Sequence, residues 1–113
     1  MKSVRALVWS PVLASSADAH STDMATNDFF SHYSPSGASP FDRMRAAGYR
    51  HRALSENIAA GLDSPAAVVK AWLKSPGHCR AIMDARAREL GVGRVEGSGT
   101  YGVYWTQDFG ALQ

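Results

Sequence analysis

All five prolines of this 113-residue chain follow serine: Ser10-Pro11, Ser34-Pro35, Ser39-Pro40, Ser64-Pro65 and Ser75-Pro76. Serine at a helix N-cap accepts a hydrogen bond from an otherwise unpaired N–H, and proline at the first helical position gives up a donor that had no partner. Four of the pairs therefore predict helix starts. The first helix runs from Pro11 towards Phe29, with Leu13, Ala17, His20 and Met24 on one face. The second, Pro40 to Ala47, carries Phe41, Met44 and Ala47 on one stripe and stops at Gly48. The third, Pro65 to about Lys74, offers Val68, Val69, Trp72 and Leu73 to a core, and a short fourth starts at Pro76 and continues through Ile82 and Met83. Ser34-Pro35 stands in Tyr33-Ser34-Pro35-Ser36-Gly37, which reads as a loop.

The C-terminal third changes period. Leu90 to Glu96 and Tyr101 to Phe109 alternate in strand fashion, and Gly97-Ser98-Gly99 between them has the composition of a hairpin turn. A third strand is expected near Ser55 to Ala60. Helices first and a hairpin last predict an α+β fold with an antiparallel sheet. With no linker, repeat or low-complexity segment, residues 1–113 read as one domain.

Composition removes several classes of function. Hydrophobic residues make up 45% and charged residues 19%, a globular balance. The net charge is +2 with both signs interleaved, so there is no basic footprint for nucleic acid. No apolar run is long enough to span a membrane. The single cysteine excludes an internal disulfide framework. Met1 to Ala17 imitates a short secretory signal, but Trp9, Ser10 and Pro11 break its apolar stretch, and the segment reads better as a helix start.

The titratable residues then sort by context. His20 sits on the apolar face of the first helix and reads as a core histidine. His51, between Arg50 and Arg52, reads as a solvated loop residue. His32 follows Phe29-Phe30-Ser31 and precedes the serine–proline–glycine loop, a place where side chains line clefts. His78 falls in the first turn of the fourth helix, where the helix dipole favours the neutral ring. It reads either as a cap-region hydrogen-bonding residue or as a cleft residue. Glu56 lies in the low-charge stretch Ala53 to Gly61; it is either a desolvated functional acid or a buried structural one. Asn57 beside it faces the opposite side of a strand. Cys79, adjacent to His78 on a helix, makes no Cys–His dyad and reads as a packed thiol.

Taken in order, His20-Ser21-x-Asp23-Met24-Ala25, Phe30-Ser31-His32, Ala47-Gly48-Tyr49, Glu56-Asn57-Ile58-Ala59-x-Gly61, Trp72-x-x-Ser75-Pro76-Gly77-His78, Gly91-Val92-Gly93 and Tyr104-Trp105-Thr106-Gln107-x-Phe109-Gly110 resemble the bacterial branch of the CAP superfamily. This is the superfamily of cysteine-rich secretory, antigen 5 and pathogenesis-related-1 proteins. The resemblance spans about Trp9 to Gly110. It implies an α-β-α sandwich around an antiparallel sheet, an extracellular or cell-envelope location, and a cleft that holds histidines and acids. His32 matches the first cleft histidine and Glu56 the acid of the Glu-Asn-Ile-Ala motif. Ser75 and Tyr104 stand where eukaryotic members have a second glutamate and a second histidine, and His78 reaches the same cleft in the bacterial pattern. The resemblance leads one to expect the family's further N-terminal helix to be truncated or absent here, and Cys79 stands where arginine is usual.

Three functions follow from the resemblance as expectations. In the first, His32, Glu56 and His78 hold a divalent cation such as Zn²⁺ or a small ligand, with Ser75, Tyr104 and Gln107 as neighbours and no established turnover. In the second, the same cleft hydrolyses a peptide or ester, with His32 or His78 as base oriented by Glu56 or with zinc activating a water. In the third, the domain binds a lipid, a glycan or another cell-envelope component, as a monomer or a weak dimer. Trp72, Tyr104 and Trp105 are expected in the core rather than on such a surface.

Overall fold

The computed structural model describes residues 7–97 and 99–112. Along them the elements are β1 (Val8–Trp9), α1 (Pro11–Asn27), α2 (Pro40–Ala46), β2 (Arg52–Ala60), α3 (Pro65–Lys74), α4 (Pro76–Ile82), β3 (Glu89–Glu96) and β4 (Val103–Ala111). Serine–proline pairs open all four of these helices. Ser10 Oγ accepts the Leu13 N–H at 3.1 Å and Ser64 Oγ accepts the Ala67 N–H at 3.2 Å. Ser39 and Asp42 exchange bonds of 3.1 and 3.0 Å in a full capping box. Ser75 is the exception: it ends α3 and begins α4, and its hydroxyl makes no capping bond.

The sheet order is β1-β3-β4-β2, with β4 antiparallel to both of its neighbours. One correction concerns β1, which pairs parallel with β3 through Val8↔Glu89 and Trp9↔Leu90. Two residues are too few to show an alternation, so this strand left no pattern to read. A bulge between Ala53 and Ser55 lets β2 begin at Arg52, earlier than expected. The β3–β4 connection is longer than a tight turn. It runs from 97 to 102, closed by the Gly97 N–H on Gly102 O at 2.9 Å, and β4 starts at Val103 rather than Tyr101. Ser98, part of the expected turn, lies outside the described residues.

Helices cover both faces of this sheet. On one face α1 lies directly on β3, because Gly91 and Gly93 present no side chain there. A Cβ at either position would collide with the backbone of Ala14 or Asp18. Strand alternation puts Tyr104, Thr106 and Asp108 of β4 on this face, and Ile58 and Glu56 opposite them on β2. Met24, Ala25, Ile58 and Tyr104 form the core here. On the other face Ala59, Val68, Trp72 and Trp105 pack under α3. Trp72 Nε1–H also donates to Ile58 O at 3.0 Å, fixing α3 to the outer strand β2. The result is an α-β-α sandwich.

Candidate functional site: a buried glutamate that holds a cleft histidine

Glu56 stands on β2 directly opposite Asp108 on β4. Its side chain is 1% exposed, and a carboxylate so deeply buried is costly unless it is paired. The pair comes from Arg43 in the middle of α2. Its Nη1 donates to Glu56 Oε2 at 2.8 Å and its Nη2 to Oε1 at 2.9 Å, a two-pronged geometry that a planar guanidinium makes well. The same Nη2 reaches His32 O at 2.5 Å, tying the loop after α1 to the pair. His32 Nδ1 then donates to Glu56 Oε1 at 2.9 Å.

Burial alone would raise the Glu56 pKa. The hydrogen bonds from His32, Arg43 and Asp108 outweigh it and hold the group below the usual carboxylate range. Asp108 moves the other way: burial first, then the neighbouring Glu56, push its pKa far up, so it keeps its proton at neutral pH. Neither Asp108 oxygen has a hydrogen-bond partner of strict geometry among the described residues, although the Ser16 hydroxyl lies close enough to offset part of the rise. Two carboxylates can bond only if one carries the proton, and a protonated Asp108 beside an ionised Glu56 meets that condition.

With Nδ1 committed to Glu56, His32 has only Nε2 left for other partners. The ring is 40% exposed and lines a cleft of about 360 Å³ together with Phe30, Ser31, Tyr33, Ile58 and His78. His78 arrives from the first turn of α4. Burial, and then the proximity of His32, lower its pKa, which favours the neutral ring. Behind it Asn57 Nδ2 donates to His78 O at 3.2 Å and to Gln107 Oε1 at 3.1 Å, so Asn57 and Gln107 anchor α4 from the opposite sheet face.

Of the residues singled out from the sequence, His32, Glu56 and His78 thus come together, with Glu56 beneath His32 rather than in the cleft wall. The others lie elsewhere. Tyr104 is a core residue: alternation turns it inward, and its hydroxyl accepts the Tyr101 N–H at 3.2 Å and lies 3.5 Å from Asp28 Oδ1. Gln107 is buried and Ser75 joins two helices; neither lines the cleft. His20 is buried on α1, where its Nε2–H donates to Ser31 O at 2.7 Å and so props the base of the cleft loop. His51 is exposed, edge-on to Tyr49, and Cys79 is half-buried.

The geometry does not suit a metal held by His32, Glu56 and His78. Both Glu56 oxygens already accept from the Arg43 guanidinium, and His32 turns Nδ1 to the same carboxylate. Among the described residues no three His, Cys, Asp or Glu side chains converge as ligands. Arg43 and Asp108, which decide this outcome, were not singled out from the sequence. Arg43 looks like an ordinary solvated arginine on a short helix. Asp108 did leave a signal, a lone acid inside the alternating run from Tyr104 to Phe109.

Comparison with known proteins decides the family. The model of the cysteine-rich secretory protein (CAP) family matches residues 1–109. The chain belongs to the CAP family. This CAP domain is 43% identical over 97 residues to YkwD of Bacillus subtilis, covering 86% of the chain and 36% of that protein. It is 38% identical over 104 residues to the B. subtilis membrane protein YlbC, covering 91% of the chain and 28% of that protein. It thus spans about a third of the length of these relatives. Among solved structures it superposes with a TM-score of 0.84 on an extracellular SCP-domain protein from Bacillus anthracis, at 32% identity over 96% of this chain and 34% of that one. An outer surface protein from Borrelia burgdorferi shares the fold, with a TM-score of 0.84 at 23% identity over 97% of this chain and 80% of that one.

Proposed function

We propose that this CAP domain acts outside the cell as a metal-free binding module, and that its His32–His78 cleft takes a small, uncharged ligand rich in hydroxyl and amide groups. An N-acetylated glycan segment of the cell envelope fits that chemistry. The observation that carries the reading is the 2.9 Å bond between His32 Nδ1 and Glu56. It fixes the orientation of the ring and reserves Nε2, a bare acceptor when the ring is neutral, for a ligand N–H or O–H. Phe30, Tyr33 and Ile58 supply the apolar walls that such ligands stack against. The extracellular setting is supported by the SCP-domain relative from B. anthracis.

Hydrolysis is the weaker reading, because among the described residues no serine bonds either cleft imidazole. Ser31 Oγ accepts the Tyr33 N–H at 3.0 Å and bonds neither imidazole among the described residues.

The reading is tested by titrating the isotopically labelled chain with triacetylchitotriose while following the His32 and His78 ring resonances. Saturable shifts of both rings, abolished in His32→Ala and weakened at least tenfold in Glu56→Gln, are expected. Rings that do not respond to saturating sugar would overturn the assignment.

A further inference from the structure

Arg45, Arg50 and Arg52 bring three positive charges to one concavity in a chain whose net charge is only +2. They meet because the chain reverses just after α2. Gly48, with a φ of +99°, takes the left-handed conformation that ends the helix, and residues 50–52 return beside the last turn, where Arg45 stands. The cavity between them holds about 340 Å³, within the range of small-molecule sites. Buried Tyr49 and half-buried Ala53 form its inner wall, exposed Phe41 stands at the rim, and His51 packs edge-on to the Tyr49 ring. The site is separate from the His32–His78 cleft: Arg52 and Ile58 are six positions apart along β2, about 20 Å at the rise of a strand.

Side-chain bonds engage Arg43, Arg86, Arg88 and Arg94, but among the described residues none engages the guanidinium groups of Arg45, Arg50 or Arg52. The carboxylates in this region are committed elsewhere. Asp42 accepts from the Ser39 N–H, Asp84 from Arg86, and Glu89, in an adjoining depression, from Tyr49 Oη; none of them lines the cavity. The carbonyls that end α2 are also satisfied, since those of Arg43, Met44 and Arg45 accept from Ala47, Tyr49 and Gly48. Three unpaired guanidinium groups therefore call for an acceptor with several oxygens and more than one charge. A carboxylate is saturated by one arginine fork, whereas a phosphate monoester offers three terminal oxygens and about two negative charges at neutral pH. The rings of Phe41 and Tyr49 suit an apolar body attached to that phosphate.

We infer that this cavity is a second ligand site, which binds a phosphate monoester carried on a small apolar body, with Arg45, Arg50 and Arg52 holding the phosphate. Phenyl phosphate and benzoate serve as probes with the same ring, compared at about pH 8, where the phosphate is a dianion. In a titration of the isotopically labelled full chain, phenyl phosphate produces saturable shifts of the Arg50, His51 and Arg52 amides and of the Tyr49 ring. Benzoate binds at least tenfold more weakly. Arg45→Gln and Arg52→Gln each weaken phenyl phosphate at least tenfold, and because both side chains are exposed these variants keep the thermal midpoint of the parent. Lys70→Gln removes the same charge from the exposed face of α3, outside the cavity, and leaves binding unchanged. Absence of saturation, equal affinity for the two probes, or an equal loss in Lys70→Gln and the arginine variants would each overturn the inference. Sedimentation with phosphatidic acid vesicles in the absence of saturable phenyl phosphate binding would also overturn it, and would make the arginines a membrane contact instead.

Discussion

Arg43 is the residue on which the site turns. It satisfies both oxygens of a buried glutamate and holds the backbone of the histidine that the glutamate orients. Removing one partner of a buried ion pair costs about 3–5 kcal/mol, far more than the pair contributes against an apolar substitute. Arg43→Ala is therefore expected to destabilise the fold by about that amount, read as a drop in the urea midpoint. Arg43→Lys keeps the charge but not the two-pronged geometry, and is expected to recover only part of the loss. The sequence announced His32, Glu56 and His78 through their surroundings: an aromatic helix end, a low-charge strand and the first turn of a helix. It did not announce Arg43, because an arginine on a seven-residue helix among Asp42 and Arg45 carries no mark of burial. Its partner arrives from β2, and that contact exists only once the chain has folded.

At the scale of elements, serine–proline pairs made the helices legible, since each pair encodes a local geometry that needs no tertiary contact. Long alternating runs did the same for β3 and β4. The parallel pairing of β1 was not legible, because two residues carry no period and their partner lies some eighty positions away. The caps give a graded prediction. Ser39→Ala and Ser64→Ala each remove a capping bond and are expected to cost about 1 kcal/mol. Ser75→Ala removes no capping bond and is expected to leave the thermal midpoint within about a degree. The contact between α1 and β3 is less forgiving. Gly93→Ala drives a methyl group into the α1 backbone, and overpacking of this kind costs about 1–3 kcal/mol, measurable by the same thermal melts.

For the whole molecule, the two facing carboxyls make stability depend on pH in opposite senses. Glu56 has a lowered pKa, so its contribution is present above the ordinary carboxylate range and is lost as pH falls through its folded value. Asp108 has a raised pKa. The folded chain keeps a proton that the unfolded chain releases above the carboxylate range, so this contribution declines as pH rises. Asp108→Asn removes that decline while retaining a donor for Glu56. Its stability relative to the parent is expected to improve between about pH 4 and about pH 8, as followed by urea unfolding at each pH. Parallel curves for the two proteins would show that Asp108 is ionised in the fold.

The cleft depends on His32 being held through Nδ1 by an ionised Glu56, with Nε2 reserved for a ligand rather than a metal. A long-range proton–nitrogen NMR correlation of the imidazole groups, recorded at about pH 8 with and without one equivalent of Zn²⁺, reads this directly. The Nδ1–H tautomer of His32 and no change on adding zinc are expected. An Nε2–H tautomer, or stoichiometric zinc-dependent shifts at His32 and His78, would contradict it.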